Sequence, residues 1–378
     1  MTKASIARQL GNAIVAKNRN SGGWYGPHMA AASRAIQERI PLVDLVLEVR
    51  DARIPLSSEY EQLRNYSSTL KRIIVMNKMD LANRSQIKEW VSYFQQNNCL
   101  SYGVNAHNKE NIKQQLGKVH LLQFLNFLQA RVRELKRTEQ HSSYTTTILL
   151  VGIPNVGKSA LANSLHKIGR ISAAEKGKLK NATVSPQPGE TKDISSLKIG
   201  SHPNIYVLDT PGVLPPEILD ADVCCKLALT GAIGNCLAGE KELSRYLLTI
   251  LNLSDEYKKW AKLADPKNGI PVADHKAECS GNFEMDMKRK RQYPTDHTQD
   301  FIVNSVRKTL FETISSFDGN LDDERELARL VDAEISALQK VFQVPENVGV
   351  DAHDKVACKL LNLYRTGRLG HYTLDCIP

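Results

Sequence analysis

Apolar positions follow two rhythms along this chain. Ile6, Leu10 and Ile14 recur every four residues, so one face of an N-terminal helix is apolar and the other basic. After Trp24-Tyr25-Gly26-Pro27-His28-Met29 comes an Ala-rich helical stretch. Beyond Pro41 the pattern changes to short apolar runs of strand length, at 42–49, 72–76, 99–104, 147–151 and 204–208. Helical periods over about 85–96, over about 112–137 and from Ser159 onward separate them, and a polar stretch at 136–145 leads into the run at 147–151. The alternation predicts an α/β fold. From Pro215 the rhythm stops, and the rest reads as mainly helical with a polar, poorly patterned segment at 264–300. The expected domains are 21–216, α/β, and 217–378, mainly helical.

Composition narrows the class. A chain of 378 residues, 42% hydrophobic and 24% charged, can bury two cores. No run approaches the roughly 20 apolar residues of a membrane span, so at most peripheral membrane contact is expected. The net charge of +9 points to a polyanionic partner, nucleic acid first. Seven cysteines without a CxxC pair or Cys/His ligand spacing suit a reducing compartment and argue against structural zinc. The first acidic residue is Glu38, so residues 1–20 have the acid-free, Arg-bearing, amphipathic character of a mitochondrial presequence. The competing reading is an arm of the mature protein that contacts RNA or a membrane. The basic run Lys288-Arg289-Lys290-Arg291 reads as a solvated loop, with RNA contact or a nuclear address as alternatives.

The chemistry centres on Gly152-Ile153-Pro154-Asn155-Val156-Gly157-Lys158-Ser159, which fits GxxxxGK[ST] between a strand and a helix. The loop's backbone N–H groups, from Asn155 through Val156, Gly157, Lys158 and Ser159 to Ala160, would wrap a phosphate at a helix N-terminus. Lys158 would meet the outer phosphates, and the Ser159 hydroxyl would bind Mg2+. Asn77-Lys78-Met79-Asp80 ends another strand and has the form NKxD. Asp80 can accept both N1–H and N2–H of guanine, a donor pair that adenine lacks. Asn77 can reach N7 and brace nearby loops, and the Lys78 stem can cover the base. Asn105-Ala106-His107 is similar to the Ser-Ala-Lys loop of GTPases, in which the alanine N–H reaches guanine O6, with asparagine in place of serine. Asp209-Thr210-Pro211-Gly212 supplies the remaining part: Asp209 would hold a water on Mg2+, the Gly212 N–H would sense the γ-phosphate, and Thr191 would ligate Mg2+ when GTP is bound.

The order of these motifs is inverted. The guanine-side motifs come first and the phosphate loop, Thr191 and Asp209–Gly212 later. This resembles the circularly permuted GTPases, and Asp51-Ala52-Arg53 matches their DAR motif. Residues 24–29, the DAR segment and the ending at 364–375 look most like the YlqF/YawG type, nearest to the mitochondrial DAR GTPases. The likeness covers residues 21–265 and the C-terminal part of the chain. It implies a circularly permuted P-loop GTPase domain followed by a helical domain. The implied activity is GTP hydrolysis in mitochondrial large ribosomal subunit assembly, with release after hydrolysis, rRNA and ribosomal proteins as partners, and a monomer. Because the chain leaves the nucleotide domain soon after Gly212, nucleotide state would bias the helical domain.

Two further residues come from the resemblance. Asn155 occupies the position whose oxygen binds K+ in permuted and related GTPases, and the alternative is an asparagine that closes its loop by a hydrogen bond. Val213 and Leu214 follow Gly212, where Ras-like GTPases place a water-orienting glutamine, and neither side chain can hold a water. The family assigns that work to a histidine in a Pro-Gly-His-Met segment, here Gly26-Pro27-His28-Met29, so His28 is the catalytic candidate beside Lys158 and Gly212. The rival classes are a non-ribosomal GTP-dependent switch that binds a protein effector, and a P-loop kinase or ATPase, against which Asp80 argues.

Overall fold

The computed structural model describes residues 3–20, 24–64, 71–106, 114–138, 145–172, 182, 191, 193–201, 203–234, 239–264, 301–345 and 351–378. His107, the segment 183–190 and the basic run at 288–291 lie outside the described residues. The chain divides into two units, one of Gly11–Ala238 with His371–Pro378, the other of Met1–Leu10 with Gly239–Gly370.

The first unit is built on a six-stranded sheet, β1 (Leu45–Asp51), β2 (Arg72–Asn77), β3 (Leu100–Gly103), β4 (Thr145–Val151), β5 (Ser195–Ser201) and β6 (Asn204–Asp209), in the spatial order β3-β2-β1-β4-β6-β5. All neighbours pair in parallel except β5 with β6. Every position of β1 is buried, which is why it reads as a continuous run and not an alternation. The first three strands step from the centre to one edge, and the later ones build the other side from β4. The strand order therefore reverses between β1 and β4, where open α/β sheets place ligands beyond the strands' carboxyl ends.

The sheet's faces are covered by α2 (Pro27–Arg39), α3 (Arg84–Gln96), α4 (Gln114–Thr138) and α5 (Lys158–Ser172), and α6 (Ala221–Thr230) closes the unit. Ile87, Trp90 and Phe94 of α3 fall on one helical face and bury against Ala52, Ile74 and Met76. Ile36 of α2 joins Ile40, Val46, Leu149, Val151 and Val213 in a second cluster. Glu48 lies within β1 with no exposed surface. It accepts from Arg50 Nε, Arg72 Nε and the Tyr60 amide, each at 2.8 Å. Burial alone would raise its carboxyl, but the two guanidinium groups hold it below the usual range.

Two elements differ from the sequence pattern. The strand expected from residue 42 begins at Leu45, because Ile40–Leu42 closes as a 3-10 turn. The Asp44 carboxylate then accepts from the Thr147 amide at 2.7 Å and sets the first rung beside β4. Strand β5 was not expected. Only Leu197 and Ile199 supply apolar weight in its Ser- and Gly-rich sequence, and antiparallel pairing with β6 provides what the side chains do not.

The second unit contains α7 (Glu240–Asn252), α8 (Phe301–Ser315), α9 (Glu324–Val341) and α10 (Asp351–Arg365). Asp323 caps α9 by accepting from the amides of Arg325 and Glu326. Glu334 on α9 is buried against Asn252, whose Nδ2 donates at 2.8 Å, and burial pushes its carboxyl up to about 8. Among the described residues no helix is long and apolar enough to cross a membrane.

The N-terminal helix α1 (Lys3–Asn20) turns its apolar face inward. Ile6, Ala7, Leu10 and Ile14 are at most 5% exposed. Gly11 approaches Ala221 so closely that a Cβ at position 11 would lie 2.5 Å from the alanine's own Cβ. Deleting residues 3–17 is expected to lower the thermal midpoint by about 5 °C or more, since several buried apolar side chains at roughly 1.5–3 kcal/mol each are lost. Differential scanning fluorimetry checks this, and an unchanged midpoint would mark the helix as dispensable to the fold.

Candidate nucleotide site

The sheet gathers the expected residues at one end. Asp51 closes β1, Asn77 closes β2 and Asp209 closes β6, while Asn105 and Ala106 follow β3 and the loop 152–159 follows β4. All of these strands run the same way, so their motifs share the carboxyl edge.

In the phosphate loop Gly157 has φ +93°, and a Cβ there would sit 2.3 Å from Asn77 Nδ2, so only glycine fits. Asn77 uses that amide to donate to the Val156 carbonyl at 2.8 Å, and its Oδ1 accepts from the Ala106 amide at 2.9 Å. The Ser164 hydroxyl of α5 holds the Ala106 carbonyl at 3.0 Å. One asparagine thus braces the base side of the site to the phosphate side. The Ala106 N–H, expected to face guanine O6, is engaged within the protein.

Lys158 is buried and folded across its own loop, donating to the carbonyls of Gly152 at 3.0 Å and Ile153 at 2.8 Å. Burial lowers its ammonium to about 8 against the opposing pull of Asp209. The Asp209 carboxyl is pushed up by burial, with the Ser159 hydroxyl and Lys158 working the other way. Neither Asp209 oxygen makes a standard hydrogen bond, although the residue has no exposed surface. A buried carboxylate in that state is costly unless a cation or water meets it. The Ser159 and Thr191 hydroxyls are 3.2 Å apart. Two hydroxyls and a carboxylate at the lip of a phosphate loop are a hard-oxygen donor set that fits Mg2+. Among the described residues no cluster of three or more His, Cys, Asp or Glu offers another metal site.

Gly212 lies on the phosphate loop, where a Cβ would be 2.5 Å from Pro154 Cα, and the Val213 amide donates to the Gly152 carbonyl at 3.3 Å. Val213 and Leu214 are buried. The expected N-terminal loop histidine proves to be helical: His28 is the second residue of α2 and exposed. Pro27 occupies the first helical position, where its fixed φ and missing N–H suit the turn. The segment is held at both flanks. Trp24 Nε1 donates to the Pro215 carbonyl at 2.9 Å, and the Leu214 amide lies 3.4 Å from Met29 Sδ. Asn155 has φ +60°, and its Nδ2 donates at 2.8 Å to the Gly231 carbonyl just beyond α6. This bond ties the phosphate loop to the end of α6 through the amide nitrogen, and the amide's oxygen end is the one suited to a cation. Asp80 is exposed and Asn105 half-buried.

Asp51-Ala52-Arg53, named from the sequence as a motif but given no role there, stands behind the base side. Lys78 has φ +62°, and its ammonium meets Asp51 Oδ2 at 2.8 Å. Arg53 grips the same carboxylate, Nε at 3.0 Å from Oδ1 and Nη2 at 2.8 Å from Oδ2. Burial would raise Asp51, but Arg53 and Lys78 override it and hold the carboxyl far below its ordinary value. The available signal was the motif itself, while the register that sets Asp51 at the end of β1 beside Asn77 on β2, one residue from Lys78, shows only in the sheet.

Comparison with known proteins agrees with this arrangement. A family model described as "50S ribosome-binding GTPase" matches residues 147–262. The chain is 60% identical over 372 residues to DAR GTPase 2, mitochondrial, of Arabidopsis thaliana, covering 98% of this chain and 95% of that one. It is 38% identical to Short integuments 2, mitochondrial, of the same plant, over 100% of this chain and 95% of the relative. Ribosome biogenesis GTPase A of Bacillus pumilus is 31% identical over 76% of this chain and 95% of its own length. With its motifs in permuted order along a P-loop sheet and relatives matched over nearly their whole length, the chain belongs to the circularly permuted DAR GTPases, as a GTP-hydrolysing enzyme of their mitochondrial branch.

Proposed function

We propose that this GTPase binds a maturing mitochondrial large ribosomal subunit in its GTP form and leaves it after hydrolysis. The observation that carries the reading is Asn77, which braces the guanine-side loop to the phosphate loop in a chain whose motifs run in the DAR order. Asp80 reads the guanine edge, and the Lys78 stem covers its face. Lys158 leaves its two carbonyls for the outer phosphates, and the Gly212 N–H senses the γ-phosphate. Ser159 and Thr191 would hold Mg2+ directly and Asp209 through water. The ion, when bound, neutralises charge across the β- and γ-phosphates. The net charge of +9 suits rRNA, and ribosomal proteins are the accompanying partners. The protein acts as a monomer with at most peripheral membrane contact.

The rival reading, a switch for a non-ribosomal protein effector, predicts a different captured partner. Tagged protein locked with a non-hydrolysable GTP analogue and recovered from mitochondrial lysate is expected to carry large-subunit rRNA and proteins. Recovery of one effector protein without rRNA would favour the rival.

Asn155 gives a second expectation. With its nitrogen end on Gly231, its oxygen end can ligate K+ near the β- and γ-phosphates, the place an arginine finger serves in other GTPases. Turnover is expected to rise about tenfold on exchanging Na+ for K+ at constant ionic strength, a modest share of what an arginine finger supplies. Equal rates in the two salts would remove K+ from the role assigned to Asn155.

A further inference from the structure

The C-terminal segment returns to the sheet unit at the loop that follows the DAR motif. Asp375 is buried and accepts from four donors: the amides of Leu56 and Ser57 at 2.8 Å, the Ser57 hydroxyl at 2.7 Å and the Lys226 ammonium at 2.9 Å. On either side of it the backbone is pinned. The Leu374 amide donates to the Arg53 carbonyl at 2.7 Å, and the Tyr372 amide to the Leu81 carbonyl at 3.3 Å. The Thr373 hydroxyl accepts from the Asn83 amide at 3.3 Å. The segment thus touches both turns that flank Lys78, one ending in the DAR loop and the other following Asp80.

Lys78 adopts a left-handed backbone conformation that costs energy for a lysine and persists only where its surroundings over-determine it. The Lys78 carbonyl accepts from the Leu81 amide at 2.9 Å, the Asp51 carboxylate holds its ammonium at 2.8 Å, and Arg53 fixes Asp51 through both oxygens and its own amide. Arg53 also reaches the Thr230 carbonyl at the end of α6, the helix that carries Lys226. The contacts close a ring: Lys78 to Asp51, to Arg53, to the 54–58 loop, to Asp375, to Lys226, and along α6 back to Arg53.

We propose that Asp51 and Arg53 are positioning residues for Lys78, and that Asp375 latches the C-terminal segment to them, so that guanine-nucleotide binding and docking of residues 371–375 reinforce each other. The proposal rests on the reading of Lys78 and Asp80 as the guanine side of the site. Linkage makes the effect reciprocal: a docked segment raises nucleotide affinity, and bound nucleotide holds the segment down by the same factor. The ring stands behind the base side of the site, so its expected effect falls on nucleotide binding more than on the hydrolytic step.

The test uses the full chain. GDP is expected to slow amide exchange at Tyr372 and Leu374 by at least about threefold. Asp375→Asn is expected to weaken GDP about fivefold and to raise KM for GTP by the same factor, with kcat within about twofold, since uniform binding is what is lost. Asp51→Asn should weaken GDP further, and the double variant no more than Asp51→Asn alone, because the two residues act through one network. If Asp375→Asn does not fold, Lys226→Gln keeps the other three contacts and is expected to weaken GDP about twofold. Wild-type GDP affinity in the folded variant, simple additivity in the pair, or exchange at 372 and 374 indifferent to GDP would each overturn the latch. Asp80→Asn separates this from the base assignment: unchanged GTP binding there removes the guanine reading, while the exchange measurement still reports on the latch.

Discussion

Asp80→Asn is expected to lower GTP affinity by at least about 100-fold and to make xanthosine triphosphate the better ligand, because a site built to pair polar groups strongly rejects a ligand that leaves them unpaired. Asp80 stands three residues beyond Asn77, at the carboxyl edge of β2, and is exposed, as a side chain that meets an incoming base must be. As a carboxylate it only accepts, which matches the adjacent N1–H and N2–H donors of guanine. Asparagine keeps one acceptor and presents a donor, which meets the C2 carbonyl of xanthine. The change leaves Asn77 and its bonds to Val156 and Ala106 untouched, so the site's frame should survive. Competition between fluorescent GDP and each triphosphate reads the switch directly. Wild-type GTP affinity in the variant would remove Asp80 from base recognition.

His28→Ala is expected to lower ribosome-stimulated turnover by about 10- to 100-fold while GTP affinity stays within about threefold, the pattern of a group that acts in the transition state alone. Val213 and Leu214, which follow Gly212, are buried and apolar, so the water-orienting group comes from elsewhere. His28 is carried on a segment whose flanks, Trp24 and Met29, lie against Pro215 and Leu214. Any shift of residues 212–215 with the γ-phosphate therefore reaches the turn that bears the imidazole. The exchanged Gly26-Pro27 order starts a helix at Pro27 and places His28 in its exposed first turn. Single-turnover hydrolysis with and without purified large subunits measures the effect. Full stimulation of the alanine variant would assign water positioning to the ribosome.

Much of the site is legible in the sequence because its chemistry is local. A phosphate needs a run of N–H groups and a lysine, and guanine needs a carboxylate, so loop 152–159 and residues 77–80 carry their meaning within a few positions. The support behind them is not local. Asp375 meets donors 319, 318 and 149 residues away, and the likeness of the ending at 364–375 to the family does not say which of its residues is a buried anchor. Strand β5 is hidden for a related reason, since its Ser- and Gly-rich sequence becomes a strand only beside β6. The amphipathic pattern of Ile6, Leu10 and Ile14 is the same for an import leader and for a packed helix, and it does not itself show that these side chains are buried. Asn155 shows the opposite limit: the residue type is plain in the motif, but its bond to Gly231 depends on where α6 ends.

The most direct test of the account joins the site to the ribosome in one experiment. Wild-type protein and Asp80→Asn are each sedimented with purified mitochondrial large subunits in the presence of non-hydrolysable analogues of GTP or xanthosine triphosphate. The account predicts that wild type co-sediments with the GTP analogue and not with GDP. It further predicts that the variant co-sediments only with the xanthosine analogue, because the nucleotide held beside residue 80 decides binding. Co-sedimentation of both proteins regardless of nucleotide, or of neither with any, would contradict it.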